Sequence, residues 1–131
     1  MLSPLTCLYM SDSNPTPLLD HEIISQLIFL AEDDPKFIPE LLAVLKTELN
    51  LFQQQAYGLV ERGEHPPLER MIHKLSGASA NLGAHALQLR LRNLLASFSA
   101  LGPVQLKIEL EQIRLLADQS LVELEKLFRD N

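Results

Sequence analysis

Several residue types are scarce in this sequence, and each scarcity excludes a class of protein. The 131 residues include no tryptophan, 5% aromatic residues and one cysteine, Cys7. A single cysteine excludes an intrachain disulfide framework and a thiolate metal site, and it fits a reducing compartment. No stretch reaches the roughly 18 apolar residues that a membrane-spanning helix requires. The few aromatic residues and the many leucines favour an all-α protein over a β-sandwich.

Positive charge is also scarce. Eleven lysines and arginines face 17 aspartates and glutamates, which gives a net charge of −6 and a pI near 5.1. This balance argues against nucleic acid or an anionic membrane as a partner, although a local basic site for one phosphate remains compatible with it. With 47% hydrophobic residues, the chain is long enough to bury one core in one domain.

The N-terminal part differs in composition from the rest. We expect residues 1–17 to form a flexible segment and residues 18–131 to form one helical bundle domain. The beginning is apolar, but it contains Pro4 and no basic residue, so we do not interpret it as a signal peptide. The start at Met1, the flexible segment and the end soon after the last helix favour a free-standing cytoplasmic protein.

From residue 18 onward, apolar residues recur at helical spacing between glycines and prolines. The pattern predicts helices at about 20–32, 35–62, 67–81, 84–100 and 104–129. We expect Asp34 to cap the second helix with Pro35 in first position, Pro39 to distort its opening turn, and Gly83 to end the third helix. Four long helices with short connections predict an antiparallel up-down four-helix bundle. We expect the short first helix to cap one end of this bundle.

The stretch HKLSGASANLGA, residues 73–84, combines a histidine with small residues. At about 100° per residue, His73 lies about 160° from Leu75 and therefore on the solvent face. The core stripe around Leu75 consists of Leu68, Met71, Ala78, Ser79 and Leu82, with Ile72 at its limit. Gly77 and Ala80 lie beside His73. Because glycine inside a helix costs about 0.5–1 kcal/mol relative to alanine, close approach of another surface to His73 is a natural explanation.

An exposed imidazole with cleared flanks has a specific chemical use. Its neutral ring nitrogen is a nucleophile near pH 7. Arg70 and Lys74 lie to one side of His73 and can pair with a phosphoryl group. The other histidines, His21, His65 and His85, lack metal-ligand spacing and are expected to have surface or capping roles.

At these residues the chain resembles the histidine-containing phosphotransfer (HPt) domains of multistep two-component phosphorelays. The match consists of His73, Leu75, Gly77, the small residues 78–82 and then Gly83-Ala84. The resemblance implies a phosphocarrier without an autonomous kinase or hydrolase site. His73 would accept a phosphoryl group from a receiver-domain aspartate and pass it to another response-regulator receiver. The implied partners are receiver domains and a hybrid sensor histidine kinase; the receiver supplies the Mg²⁺, and the carrier needs no cofactor or metal.

One position departs from the family pattern. Many members have a lysine three residues after the histidine, beside the phosphoryl group, whereas this chain has Ser76. A hydroxyl donates a hydrogen bond but carries no charge. Either the phosphohistidine is less stabilised here, or Arg70 and Lys74 take over the role of the lysine.

Further site residues follow from helix geometry. If the second and third helices turn near Glu64, His73 lies level with about Gln55, so Gln53, Gln54 or Gln55 is expected to orient the imidazole. For receiver docking, Leu89 points about 160° from the core stripe of the fourth helix. The remaining docking candidates are Asn81 and Arg90, with Arg92 and Asn93 nearby as parts of a polar rim.

Two other functions fit the same sequence. An HPt-like adaptor would bind a receiver or kinase domain without carrying phosphate, and it would bind equally well with His73 replaced by glutamine. A structural bundle, dimeric through an apolar face, would bind no receiver. We expect a monomeric phosphocarrier.

Overall fold

The computed structural model describes residues 16–129, which are helical almost throughout. The helices are α1 (His21–Ala31), α2 (Phe37–Glu61), α3 (His65–Asn81), α4 (His85–Ser97) and α5 (Pro103–Arg129), and a 3₁₀ turn covers Phe98–Ala100. The described residues contain no β-strand. The predicted all-α class is therefore confirmed. The predicted flexible N-terminal segment lies outside the described residues, except for positions 16 and 17.

Helices α2 to α5 form an antiparallel bundle in which each packs against its neighbours in sequence, and α5 packs against both α4 and α2. Helices α3 and α5 are therefore diagonal to each other. The centre consists of fully buried leucines and isoleucines, among them Leu45, Leu68, Ile72, Leu75, Leu87, Leu91, Leu110, Ile113 and Leu124. The predicted four-helix bundle is confirmed.

The turn between α3 and α4 fixes the position of α1. Gly83 has a φ of +73°, as a glycine at the end of a helix commonly does. Its carbonyl accepts a hydrogen bond from the backbone N–H of Asp20 at 2.8 Å, and the N–H of Ala86 donates to the carbonyl of Leu18 at 3.2 Å. The carboxylate of Asp20 in turn caps α1 by accepting from the N–H groups of Glu22 and Ile23. Helix α1 thus lies at this end of the bundle.

The start of α2 differs from the prediction. The helix begins at Phe37 rather than at Pro35, so Asp34 is not its N-cap. Asp34 instead organises the preceding turn, where its carboxylate accepts from the N–H of Lys36 at 3.1 Å and its carbonyl from that of Phe37 at 3.0 Å. Because Pro39 now falls in the first helical turn, its missing N–H removes no intrahelical hydrogen bond.

Within residues 16–129, no helix has both the length and the apolar character needed to cross a membrane.

Candidate functional site

His73 lies at the midpoint of α3, eight residues from either end of the helix. Its side chain is exposed, while Ile72 before it and Leu75 after it are fully buried. These two buried residues fix the rotation of α3 in the bundle. The imidazole therefore stands on the outer surface about 12 Å from each end of the helix, given a rise of about 1.5 Å per residue.

Gly77, one turn after His73, leaves an open space on the same surface. A methyl group placed on Gly77 would meet no side chain or helix within 4 Å beyond its chain neighbours. Nothing in the described protein therefore requires glycine here, although alanine is the better helix former by about 1 kcal/mol. Ala80, two turns after His73, is half-buried and also small. A second protein can approach His73 closely over this strip.

The residue at the place of the usual lysine is buried. Ser76 is 8% exposed, so its side chain belongs to the interhelical packing rather than to the solvent beside His73. Ser79, one turn further on, is fully buried and donates its hydroxyl to the carbonyl of Leu75 at 2.7 Å. Neither serine brings charge to the surface.

Unpaired positive charge is concentrated near His73. In the described part of the chain, four of the eleven cationic side chains form no ion pair: Lys36, Arg70, Lys74 and Arg92. Arg70 and Lys74 are on α3, within three residues of His73. Lys36 is remote, immediately before α2. In a chain with a net charge of −6, this local excess of free cations favours binding of an anion at His73.

The rotation of α4 shows which side of it Arg92 occupies. Leu91 is fully buried, and Arg90 donates two hydrogen bonds to the carboxylate of Glu109 on α5, at 3.1 and 3.2 Å. Arg90 is therefore on the side of α4 that faces α5. Because Arg92 is two residues on, about 200° around the helix, it lies on the opposite side, toward α3.

His73 lies on the matching side of α3. Helices α3 and α4 are antiparallel, so a local twofold axis relates them. A residue that follows a buried residue in α3 and one that follows a buried residue in α4 therefore both lie on the side that faces the other helix. In α4 this side is occupied by Arg92, which follows the buried Leu91; in α3 it is occupied by His73, which follows the buried Ile72. Counting eight residues outward from Asn81 and from His85 puts His73 level with residue 93. Arg92 is thus within about one residue of its level.

Comparison with known proteins bears on the fold. No protein-family model and no curated protein matches the sequence. A solved structure of a rice protein described as a histidine-containing phosphotransfer protein matches with a TM-score of 0.51. The match covers 95% of this chain and 91% of the rice chain, at 20% sequence identity. The chain has the HPt fold. At this identity, the similarity concerns the arrangement of the helices.

In this HPt fold, the three glutamines of α2 occupy different sides of the helix. Gln53 lines a small groove between α2 and α5 together with Tyr57 and Arg114. Gln55 is about 200° further around and therefore on the side toward α3, whereas Gln54 points outward. Counting eight residues inward from Glu61 and from His65 puts His73 level with Gln53 rather than with Gln55. No hydrogen bond joins any of the three to His73 in the described structure. Orientation of the imidazole by a glutamine stays a prediction.

The residues predicted for receiver docking are scattered on the surface. Asn81 is exposed at the end of α3, Leu89 is half-buried, and Arg90 is held by Glu109 on the far side of α4. Docking roles for these residues stay predictions. In particular, the ion pair of Arg90 points its side chain away from α3 and so from His73.

The sequence analysis did not identify two exposed apolar residues of α2 on the edge toward the histidine helix. Val44 and Leu51 of α2 are 53% and 37% exposed, and both lie on the edge of α2 opposite to Gln53, which is the edge toward α3. Leu51 is at about the level of Leu75, two residues before Gly77. Their apolar character is visible in the sequence, but the neighbour of this edge follows only from the packing of the bundle.

The groups with shifted pKa values lie on the α2–α5 side, away from His73. Burial, followed by the hydrogen bond to Glu111, raises the pKa of Tyr57 above its ordinary value. The hydrogen bond from Arg114 lowers the pKa of Glu111. This cluster ties α2 to α5, and we assign it a structural role.

Within the described residues, no three His, Cys, Asp or Glu side chains are grouped so as to hold a metal ion. Of the other histidines, His65 packs its ring edge-on against Phe98 with centroids 5.2 Å apart. His21 and His85 begin helices α1 and α4. Of the four histidines, which all lie in the described part of the chain, His73 is the one exposed in the middle of a helix.

Proposed function

We propose that this protein carries a phosphoryl group on His73 and transfers it between receiver domains. The observation that carries the proposal is an exposed imidazole at the middle of α3 in an HPt fold, beside the open space at Gly77. The unpaired cations Arg70, Lys74 and Arg92 support it, because a phosphohistidine adds negative charge to this surface.

The proposed reaction is a phosphoryl transfer in line between an oxygen and a nitrogen. A ring nitrogen of the neutral imidazole attacks the phosphorus of a receiver aspartyl phosphate. A phosphorus–nitrogen bond forms as the phosphorus–oxygen bond breaks, and the electron pair leaves on the aspartate carboxylate. The proton of the other ring nitrogen passes to solvent. Transfer to the next receiver is the reverse, and Mg²⁺ bound to the receiver neutralises charge on its side.

Such a transfer requires a receiver to dock directly over His73 and Gly77, since reacting atoms must approach to about 3–3.5 Å. We propose that Val44 and Leu51 form the apolar part of the docking surface on the α2 side of this strip, with Asn81 at its end. The phosphoryl group would come from a hybrid sensor histidine kinase and pass to a response regulator. Because one chain contains all these residues, we propose that the protein acts as a monomer. We also propose that it acts in the cytoplasm.

The test is incubation with a phosphorylated receiver and Mg²⁺, with the wild type and His73→Gln compared. We expect acid-labile, alkali-stable label on the wild type alone. A panel of receivers that labels neither protein, although both are folded, would contradict the proposal.

One observation favours a second function, a non-catalytic adaptor. Ser76 is buried and uncharged where many HPt domains carry a lysine. An adaptor would bind a receiver equally well as wild type and as His73→Gln, and neither form would acquire label.

A further inference from the structure

We propose that residues 1–10 of this chain bind along the outward face of α5 and cover its exposed apolar side chains. We call these side chains, Val104, Ile108, Leu115 and Val122, the α5 stripe. They lie on the side of the bundle opposite to His73, so the proposal does not depend on the phosphocarrier function.

The α5 stripe is a continuous row of exposed apolar residues. Its four side chains are between 44% and 71% exposed. Successive members are four or seven residues apart, so they lie within about 40° of one another around the helix. From Val104 to Val122 the row is about 27 Å long, at about 1.5 Å per residue. Single exposed apolar residues are common, whereas an aligned row of this length is typical of an interaction surface.

The outward face of α5 also has little charge. Across positions 103–122, which the structure describes throughout, the exposed residues outside the α5 stripe are Pro103, Gln105, Gln112, Asp118 and Gln119. Asp118 is the charged one among them, and it is paired with Arg114 at 3.3 Å. A helix that faces only water typically has charged residues on its outward side. The outward face of α5 therefore suits a partner that is apolar and uncharged.

Residues 1–10, MLSPLTCLYM, have this chemistry. They include no charged side chain, and the first charged side chain of the sequence is that of Asp12. At about 100° per residue, the apolar side chains at positions 1, 2, 5, 8 and 9 fall within about 120° of one another. This spacing gives the segment one apolar side, which is the pattern of a helix that binds in an apolar groove.

The described chain begins beside the α5 stripe. Leu18 is half-buried and lines a shallow groove together with Gln119 and Val122. Its carbonyl is held by the hydrogen bond from the N–H of Ala86. Residues 11–15 can span about 17 Å when extended, whereas Val122 and Leu115 are about 10 Å apart along α5. Residues 1–10 can therefore reach the α5 stripe of their own chain.

Two other occupants fit the α5 stripe less well. A second copy of the chain would have to associate at its concentration in solution, whereas a segment on a short linker has an effective concentration on the order of millimolar. A receiver that exchanges a phosphoryl group with His73 would dock on the opposite side of the bundle. We therefore assign the α5 stripe to residues 1–10.

The experiment uses the single cysteine of the chain. Cys7 belongs to residues 1–10, so a nitroxide spin label attached to it reports where this segment binds. Paramagnetic broadening of backbone amide signals is measured on ¹⁵N-labelled protein, with the reduced nitroxide as the reference. We expect the amides around the α5 stripe to lose most of their intensity and those around Gly77 to keep theirs.

Two double variants test the contact from both sides. Ile108→Ser/Leu115→Ser removes apolar area from the α5 stripe, and Leu5→Ser/Leu8→Ser removes it from the segment. Each should restore the intensity of the α5 amides, because the apolar contact that holds the segment is lost. Ile108 and Leu115 are exposed, so the bundle should stay folded without them, which circular dichroism verifies.

Val44→Ser/Leu51→Ser is the matched control, because it changes an exposed apolar pair on α2. It should leave the broadening of the α5 amides as it is in the wild type. A mixture of spin-labelled ¹⁴N protein with ¹⁵N protein that has no spin label detects contact between two copies. We expect no broadening of the α5 amides in this mixture.

Three results would overturn the inference. Broadening of the α5 amides in the mixture would show that the α5 stripe binds a second copy. Broadening that is absent or evenly spread in the wild type would show that residues 1–10 bind elsewhere or not at all. Equal broadening in the wild type and both double variants would show that the contact does not use these apolar side chains. None of these results bears on phosphoryl transfer by His73, which the receiver-labelling experiment tests.

Discussion

At the scale of single residues, the stability of α3 and the proposed function favour different residues at position 77. The helix would be more stable with alanine, and no contact within the described protein opposes a methyl group there. The fold therefore does not explain glycine at this site, whereas the proposed docking of a receiver does. Under the proposed function, His73 and Gly77 belong to one surface on which a receiver docks.

Gly77→Ala should raise the free energy of unfolding by about 0.5–1 kcal/mol, because alanine is the better helix former. It should slow transfer from a phosphorylated receiver about ten-fold, since the added methyl group displaces the docked partner. Labelling by phosphoramidate should be unchanged. Urea unfolding and the two labelling rates measure these effects.

Gly58→Ala is the control for this variant, because Gly58 is the other glycine inside a described helix. The atoms nearest to its added methyl group would be those at the end of the flexible Arg62 side chain. Equal loss of receiver transfer in both variants would show that Gly77 has no special role.

At the scale of helices, the turn at Gly83 connects the site helix to α1. Its positive φ and its hydrogen bond from Asp20 hold α1 at the end of the bundle. A Cβ on this residue would lie 3.1 Å from the carbonyl oxygen of Asp20 and 3.3 Å from Ile24. The turn therefore requires glycine for two reasons, backbone conformation and space.

Gly83→Ala should lower the free energy of unfolding by about 2–3 kcal/mol, the sum of a left-handed backbone and a forced shift of α1. Gly63→Ala is the matched variant, because Gly63 has a similar φ of +69° but open space around its Cβ position. It should cost only about 1 kcal/mol. Equal losses in urea unfolding would mean that contact with α1 contributes nothing at Gly83.

At the scale of the whole molecule, α3 and α5 lie diagonally across the bundle. Exposed apolar residues therefore occur in two separate places, one next to α3 and one on α5. Val44 and Leu51 are exposed next to α3, whereas Ile108 and Leu115 are exposed on α5, at 56% and 44%. Only the first pair lies next to α3, the helix of His73. This difference allows the docking surface to be tested with a control of the same chemistry.

The double variant Val44→Ser/Leu51→Ser should weaken receiver binding about ten-fold, as expected when two apolar contact residues are removed. Ile108→Ser/Leu115→Ser should bind as the wild type does. Titration calorimetry with a receiver domain measures both affinities. A loss confined to the α5 variant would place the receiver on the opposite side of the bundle.

The sequence by itself determined the helices and the exposure of His73. Helical spacing identifies the core stripe of α3, and a residue about 160° from that stripe faces solvent whichever helices surround it. The helix ends at Gly63 and Gly83 could also be predicted from the neighbouring sequence alone. The start of α2 could not be predicted in this way, because the same hydrogen-bonding groups of Asp34 can stabilise a turn or cap a helix.

Only the tertiary structure decided which residues share the surface of His73. The sequence alone does not distinguish Arg90 from Arg92. In the structure, Arg90 forms an ion pair with Glu109 of α5, and Arg92 therefore lies on the side of α4 toward α3. The same holds for Gln53 and Gln55 on α2. The physical reason is that helical periodicity fixes the angle between two side chains of one helix, whereas the neighbour on each side depends on how the bundle closes.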